Sequence, residues 1–449
     1  KVDVNEQNEQ AVGFYKHLGF EVTECAEFDA AGKPYPILSM ELKQLFLSSA
    51  FSAIVILATY FNVSAQSTNS ITETKFLKDV TATHLPIDPE AHPLDVVLID
   101  VDGDGDLDAV LAMEGAPNRL YLNDGKGIFT WKKGVFAEKN HDTEHVRAGD
   151  FDKDGKLDLI FVAEDDHNHE FYLGNGDGTY KDVSDRLPAK SEANGLDIGD
   201  LNGDGLLDIV VGNTGATPNN FLWLNDPKNP GHFIDYTKEG LPNLRTETQS
   251  VKLVDLNGDK HLDLILGNEV PPNRLFINDG KGRFTEHPEK LELLVPLHTR
   301  EVLAFDANGD KHIDILFLNL TSNGGKFEKD PTVRLLINDG KGNFKDETDK
   351  RIPKQQQFST YAGIIFDFNH DGKPDVILSA TKIPPFEPMQ MQALQNDGKG
   401  NFKLVTNEVI PQSAVGRSWG IAVGDVNKDG KLDLFVGQWG TQARLLLGK

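Results

Sequence analysis

The chain has 449 residues, 39% apolar and 26% charged, a composition that belongs to folded globular proteins rather than disordered ones. Its net charge of -25 argues against nucleic acid and anionic membrane surfaces, which would repel it, and suits a cation-binding protein. The single cysteine, Cys25, excludes an intrachain disulfide and any zinc site built on several thiolates.

Taken in chain order, residues 1–39 carry "NEQAVGFYKHLGFEV" (Asn8 to Val22). The stretch resembles the last helix and following strand of the GNAT acetyltransferases, whose pattern is Asn-x-x-Ala-x-x-Phe-Tyr-x-x-x-Gly-Phe. The resemblance implies a place near coenzyme A for Asn8 and the role of acid for Tyr15. The Gly-rich loop whose N–H groups cradle the cofactor pyrophosphate in that family has no counterpart here. The expectation is therefore a fused tail of a neighbouring gene, with Met40 as the true start and no function in residues 1–39. Residues 40–65 then read as a signal peptide. Lys43 supplies the positive n-region, Leu45 to Phe61 the apolar run, and Val63 and Ala65 the small residues before cleavage at Gln66. No lipobox cysteine follows. The expected product is secreted, periplasmic or on the cell surface, without stable membrane insertion.

From Asp95 onward the sequence repeats itself. A nine-residue motif occurs seven times, as "DVDGDGDLD" at 100, "DFDKDGKLD" at 150, "DLNGDGLLD" at 200 and "DLNGDKHLD" at 255. It continues as "DANGDKHID" at 306, "DFNHDGKPD" at 367 and "DVNKDGKLD" at 425. An apolar run flanks each copy on both sides, which predicts a hairpin with the aspartate loop as its turn. A second hairpin is predicted at "NDGKG" turns such as those in "NRLYLNDGKGIF" and "NRLFINDGKGRF", where glycine accepts the positive φ of an Asp-Gly turn. Each repeat is thus a four-stranded antiparallel unit, strands A to D, with the aspartate loop joining A to B. The last repeat ends at "RLLLGK" without a strand D, while "FLKDVT" (Phe76 to Thr81) matches strand D sequences elsewhere. The predicted fold is all-β: a seven-bladed β-propeller spanning residues 66–449, closed by the N-terminal strand completing the last blade.

Positions 1, 3, 5, 7 and 9 of each motif are the candidate metal ligands. They are Asp100, Asp102, Asp104, Asp106 and Asp108 in the first copy, and Asp150, Asp152, Asp154, Lys156 and Asp158 in the second. The third has Asp200, Asn202, Asp204, Leu206 and Asp208; the fourth, Asp255, Asn257, Asp259, His261 and Asp263. The fifth has Asp306, Asn308, Asp310, His312 and Asp314; the sixth, Asp367, Asn369, Asp371, Lys373 and Asp375. The seventh has Asp425, Asn427, Asp429, Lys431 and Asp433. Position 7 is expected to ligate through its backbone carbonyl. Six or so oxygens in a tight loop suit Ca²⁺, up to seven ions in all; Mg²⁺ demands a smaller octahedron and soft metals demand nitrogen or sulfur. An EF-hand starts similarly but needs Glu at position 12, which here is apolar in every copy, from Leu111 to Val436. Turn chemistry alone would not need Asp at position 9 seven times. Lys260 and Lys311 replace the position-6 glycine, so the fourth and fifth loops are expected to bind weakest.

The loops of "GDLNGDGLLDIVVGN" and "GDVNKDGKLDLFVGQ" resemble the FG-GAP/VCBS repeats, the calcium-loop propeller repeats of integrin α-subunit heads and many bacterial secreted proteins. The resemblance covers about residues 76–449, and one literal Gly115-Ala116-Pro117 is present. It implies calcium at the loops and a propeller that binds other molecules.

Loops A–B and C–D share one face of such a blade, so variable sequences such as "AEDDHNHE" and "TKIPPFEPMQMQ" fall on the other, where recognition is expected. Around the channel mouth, the D–A connections offer His145, Arg147, His298, Arg300, Tyr361, Arg417 and Trp419, with Trp439 from a B–C loop. Aromatics with arginine suit a sugar ring and a carboxylate or sulfate. His167 and His169 could hold a metal, although a solvated polar loop explains them as well. The functional expectation is a secreted, monomeric, non-catalytic module for a glycan or an extracellular protein. The alternative is a propeller-type polysaccharide lyase using a His/Tyr pair, with arginine neutralising a uronate.

Overall fold

The computed structural model describes the backbone of residues 2–5, 20–26 and 37–42, and residues 74–449 apart from 166, 216–218, 271, 294–295, 322–331, 355–357 and 383–386. The chain divides into two compact units, Lys1–Ser70 and Ile71–Lys449. In the first, Val2–Asn5, Ile37–Leu42 and Phe20–Ala26 form an antiparallel sheet with Ile37–Leu42 in the middle. The helix implied by the acetyltransferase resemblance and residues 43–65 of the expected signal peptide lie outside the described residues.

The second unit is all-β and propeller-like, a succession of four-stranded antiparallel sheets. The first sheet runs Pro93–Ile99 (strand A), Asp108–Ala116 (B), Arg119–Asn123 (C) and Phe129–Trp131 (D). Strand B begins on the position-9 aspartate in every repeat. Its residues are buried almost throughout, as in Asp158–Ala163 and Asp263–Asn268, because sheets cover both its faces. That is why B reads as a continuous apolar run and not as an alternation. Strand D is three residues long and half exposed. The last sheet takes Ser418–Gly424, Asp433–Gln438 and Arg444–Gly448 from the C-terminal end. Its fourth strand is Leu77–Asp79, paired as Leu446↔Asp79, Leu447↔Lys78 and Gly448↔Leu77. Sheets 1 and 2 also touch edge to edge, through Glu114↔Asp142 and Ala116↔His141.

The core is distributed. Seven apolar clusters sit between successive sheets, each filled from the B and C strands of one and the A and B strands of its neighbour. One of them packs Val96, Leu111 and Tyr121 of the first sheet against Phe435 and Leu445 of the last. Within the variable region 381–392, Thr381–Lys382 and Glu387–Gln390 form a hairpin that pairs with Val415–Gly416, so part of that predicted loop is strand.

Candidate functional site

Each acidic loop is drawn around its first aspartate. Asp100 Oδ1 accepts from Gly103 N–H at 2.7 Å and Oδ2 from Gly105 N–H at 3.0 Å, and Asp255 and Asp306 do the same to positions 4 and 6. The position-5 carboxylate accepts the N–H of position 7, as Asp204 does from Leu206 at 2.9 Å. Position 9 has a second job that the sequence reasoning missed. Asp208 Oδ2 accepts from Leu201 N–H at 2.9 Å and Oδ1 from Asn225 N–H at 2.8 Å, tying the loop to the end of strand C. Asp108, Asp158, Asp263, Asp314 and Asp433 make the equivalent pair of bonds, and Asp375 takes the strand C bond from Asn396. Backbone anchoring therefore requires Asp at position 9 whether or not an ion is bound.

Burial pushes these position-9 carboxyls up, against the pull of their N–H donors: Asp108, Asp158, Asp263, Asp314 and Asp433 to about 6, Asp208 and Asp375 to about 7. The other aspartates of each loop add repulsion. The donor set fits a hard cation. Asp102 Oδ1 and Asp150 Oδ1 are buried and accept no hydrogen bond. One oxygen each from Asp100, Asp102 and Asp108 lie within 4.8 Å of one another, as do those of Asp150, Asp152 and Asp158. Ca–O distances of about 2.4 Å make a coordination sphere about 4.8 Å across, so each triad fits inside one. Lysines compete at some loops: Lys156 Nζ is 3.0 Å from Asp154, and Lys428 of the seventh loop pairs with Asp106 of the first.

The strain is not confined to Lys260 (φ 73°) and Lys311 (φ 71°). Position 4 is left-handed too, and Lys153, His370 and Lys428 occupy it at φ 63°, 60° and 59°. Five loops thus carry one strained residue each, and only the first and third have glycine at both positions. The strain expected to set the fourth and fifth loops apart is therefore shared by the second, sixth and seventh.

On the axis, one cavity is lined by residues from all seven sheets. Each sheet contributes the residue six places before its first loop aspartate: Leu94, Glu144, Asn194, Gln249, Arg300, Tyr361 and Trp419. The register slips at this point in strand A, so that Leu94, Glu144, Asn194, Gln249 and Arg300 each fall at a bulge, as do Trp419 and Gly420. A bulge re-aims its extra side chain. Five of the eight residues expected at the mouth line this cavity: His145, Arg147, Arg300, Tyr361 and Trp419. His145, Arg147, Arg300 and Trp419 sit within inner strands, not in D–A connections. Strand A starts on polar residues that face the cavity, which made its first half read as loop. Arg417 stacks over Trp439 at 5.3 Å and His298 stands before its strand; none of these three lines the cavity.

The cavity's charges are largely matched from within. Asp95, absent from the expected set, takes His145 Nδ1 at 3.0 Å and Arg147 Nη1 at 2.8 Å. Burial opposes its ionisation, but Arg147 and His145 outweigh it and hold the carboxyl down at about 2. Arg300 reaches Glu269 at 3.3 Å and lies 4.9 Å over Tyr361, which stacks on Trp419 with ring centroids 3.6 Å apart. Burial pushes Tyr361 up to about 12, and Glu301 up to about 7 despite an N–H from Gly363. The free space is about 40 Å³, room for a water or two and not for a sugar ring. His169 is buried and takes Ala163 N–H at 3.1 Å on one nitrogen and meets Ser191 Oγ at 2.9 Å on the other, so its ring is held by the fold.

A larger cavity, about 500 Å³, opens between the third and fourth sheets. Its walls are Asn219 and Asn220 from a B–C connection, and Leu241, Pro242, Asn243 and Leu244 from a D–A connection, over a floor of Leu264, Leu266 and Phe276. Both connections lie at the strand ends opposite the acidic loops.

Among curated proteins, cartilage acidic protein 1 of Xenopus tropicalis is 24% identical over 365 residues, 73% of this chain and 54% of that protein. The chain thus spans about half the length of that relative. The T-cell immunomodulatory protein homolog of Plasmodium falciparum is 30% identical over 135 residues, 26% of this chain and 18% of that one. A 38-residue stretch, 8% of the chain, is 66% identical to 26% of the peptidyl-lysine N-acetyltransferase YjaB of Escherichia coli, in line with the acetyltransferase resemblance of the N-terminal segment. Among solved structures, BBS1N in its complex with ARL6DN superimposes with a TM-score of 0.50 at 9% identity, covering 81% of this chain and 96% of that one, a likeness of fold alone. The FG-GAP-like repeat model matches residues 100–161, 154–211, 200–266, 255–317, 306–378 and 367–436. Three quarters of the chain, loops and strands alike, therefore belongs to the FG-GAP-like repeat family.

Proposed function

We propose that residues 71–449 form a closed seven-bladed β-propeller, pinned by calcium in its acidic loops, that works outside the cytoplasm as a non-catalytic module for an extracellular protein or glycan. Closure is supported by the pairing of Leu77–Asp79 with Arg444–Gly448 and by the bond from Asn123 Nδ2 to Val426 O at 2.7 Å, which joins first sheet to last. Calcium is supported by the clustered and hydrogen-bond-free carboxylate oxygens of the first two loops. Each loop would hold its ion with positions 1, 3, 5 and 9 and the carbonyl of position 7, the ion neutralising carboxylates that otherwise repel. It braces the loops and takes no part in recognition.

The observation that carries the recognition reading is the cavity between the third and fourth sheets. Its volume falls in the range of ligand sites, and its wall mixes apolar side chains with three asparagines, two threonines, an aspartate and a lysine. The axial residues favour support over turnover, since Tyr361 is wedged under Arg300 and against Trp419. Arrays of glycans and of extracellular protein domains, probed in calcium with the wild-type chain and with Leu241→Asp and Asn243→Asp, test it. Binding lost in both variants, whose folds are checked by circular dichroism, is the expected result. Binding indifferent to both overturns the site. Unsaturated uronate released from an acidic polysaccharide, and lost in His145→Ala, overturns the non-catalytic reading.

A further inference from the structure

Away from the loops, carboxylates gather where the first two sheets meet. Asp142 lies at the start of strand A of the second sheet, and Glu164 and Asp165 directly follow its strand B. One oxygen of each lies within 4.8 Å of the others. The backbone holds them there: Glu164 N–H donates to Asp142 O at 2.9 Å and Asp165 N–H to Asp142 Oδ2 at 3.1 Å. Glu164 Oε1 is fixed in turn by Asn194 Nδ2 at 2.5 Å.

Two further observations bear on this cluster. Glu144 is only 7% exposed, lines the axial cavity, and takes no hydrogen bond or ion pair from any described residue. Its charged surroundings are Arg300 and then Glu164, Asp142 and Glu114. Glu114 is the cross-strand partner of Asp142, a like-charge pairing that weakens a sheet, and its Oε2 is buried without a hydrogen bond. Five carboxylates thus converge with Arg300 as the cation among them, and the chain nevertheless pairs its first two sheets there.

We propose that Asp142, Glu164 and Asp165, with Glu144 and Glu114 beside them, bind one hard divalent cation that staples the first sheet to the second next to the axial cavity. The donors are all oxygen, which selects Ca²⁺ or a similar ion over metals that want nitrogen or sulfur. A sphere about 4.8 Å across again holds the triad, and the excess of negative charge favours a divalent ion over a monovalent one. The site is distinct from the seven loops and does not depend on their occupancy.

Equilibrium dialysis of the intact chain against calcium, with bound ions counted by native mass spectrometry, tests it by difference. Asp142→Asn/Glu164→Gln is expected to bind one ion fewer than wild type, and an unchanged count overturns the site. Because a difference is read, vacant loops would sink the calcium reading of the loops and leave this comparison intact. Should the double variant not fold, Asp165→Asn, at an exposed position, is expected to weaken one ion by about tenfold or more. A titration superimposable on wild type overturns the site.

Discussion

A left-handed residue that is not glycine costs about 1–2 kcal/mol, because its Cβ crowds the following carbonyl. Lys260 sits at φ 73° while its N–H is bonded to Asp255 Oδ2 at 2.9 Å, so the loop holds the strained conformation for the sake of that bond. Glycine at this position keeps the N–H and removes the strain. Lys260→Gly is therefore expected to raise the stability of the chelator-treated protein by about 1 kcal/mol, part of the gain being offset by glycine's greater freedom in the unfolded chain. Lys153→Gly should gain the same amount at position 4, where the residue stands at φ 63°. Chemical denaturation of the three proteins checks this. A gain at Lys260 alone would return the strain to position 6 and restore the ranking of loops that the sequence suggested. The alternation of glycine and lysine between positions 4 and 6 is visible in the sequence, but its meaning needs the φ angles: no pattern of letters says which two of nine residues turn left-handed.

At the scale of the strand, the "NDGKG" turn teaches the same lesson differently. Asp-Gly marks the C–D hairpin correctly, and the turn forms where it was expected. The asparagine before it reads as one more turn residue, yet it fastens one sheet to the next. Asn278 Nδ2 donates to Leu201 O of the preceding sheet at 2.9 Å and to Leu262 O of its own at 3.0 Å, while its N–H goes to Asp263. Asn123, Asn225, Asn338 and Asn396 repeat the stitch, and the second sheet, with Gly174 there, has only Gly178 N–H to Val101 O at 3.0 Å, a bond that the fourth sheet makes as well, from Gly282 N–H to Leu201 O at 2.8 Å. The repeat, the four-stranded unit and the exchanged terminal strand were legible because apolar runs and turns are local. The stitches, the strand A bulges and Asp95 were not, since each depends on a neighbour some 50 residues away, as the 51-residue gap from Asp95 to Val146 N–H illustrates. Asn278→Ala strips Leu262 O of its donor, while Leu201 O keeps Gly282 N–H at 2.8 Å. It should cost about 1–3 kcal/mol, the range for one group left unsatisfied, read as a lower denaturation midpoint. Asn278→Asp, which cannot donate, should cost at least as much. A loss below 0.5 kcal/mol, on the order of a neutral surface change, would show that the stitch is ornamental.

Over the whole molecule, the acidic loops pit folding against charge, and pH exposes the contest. Burial raises the seven position-9 carboxyls from an ordinary 3.8 to about 6 or 7 in the metal-free fold. A carboxyl whose pKa is higher folded than unfolded binds its proton more tightly in the fold, so the metal-free protein loses stability as pH rises from about 4 through 7. An ion in the loop reverses the sign: it favours the ionised carboxylate, and its contribution is complete at high pH and lost as protons displace it. At a hundredfold excess over its dissociation constant each ion adds about 2.7 kcal/mol. The melting temperature in calcium should therefore exceed that in chelator by a margin that is small near pH 5 and widens through pH 6 to 7. Asp208→Asn cannot ionise at position 9, and should shrink both the margin and its pH dependence. Calorimetry at constant ionic strength across this range reads both curves. Coincident curves with and without calcium would remove the ions from the loops. A margin independent of pH would keep the ions and acquit the position-9 carboxyls, leaving them as backbone anchors whose raised pKa is a consequence of burial alone.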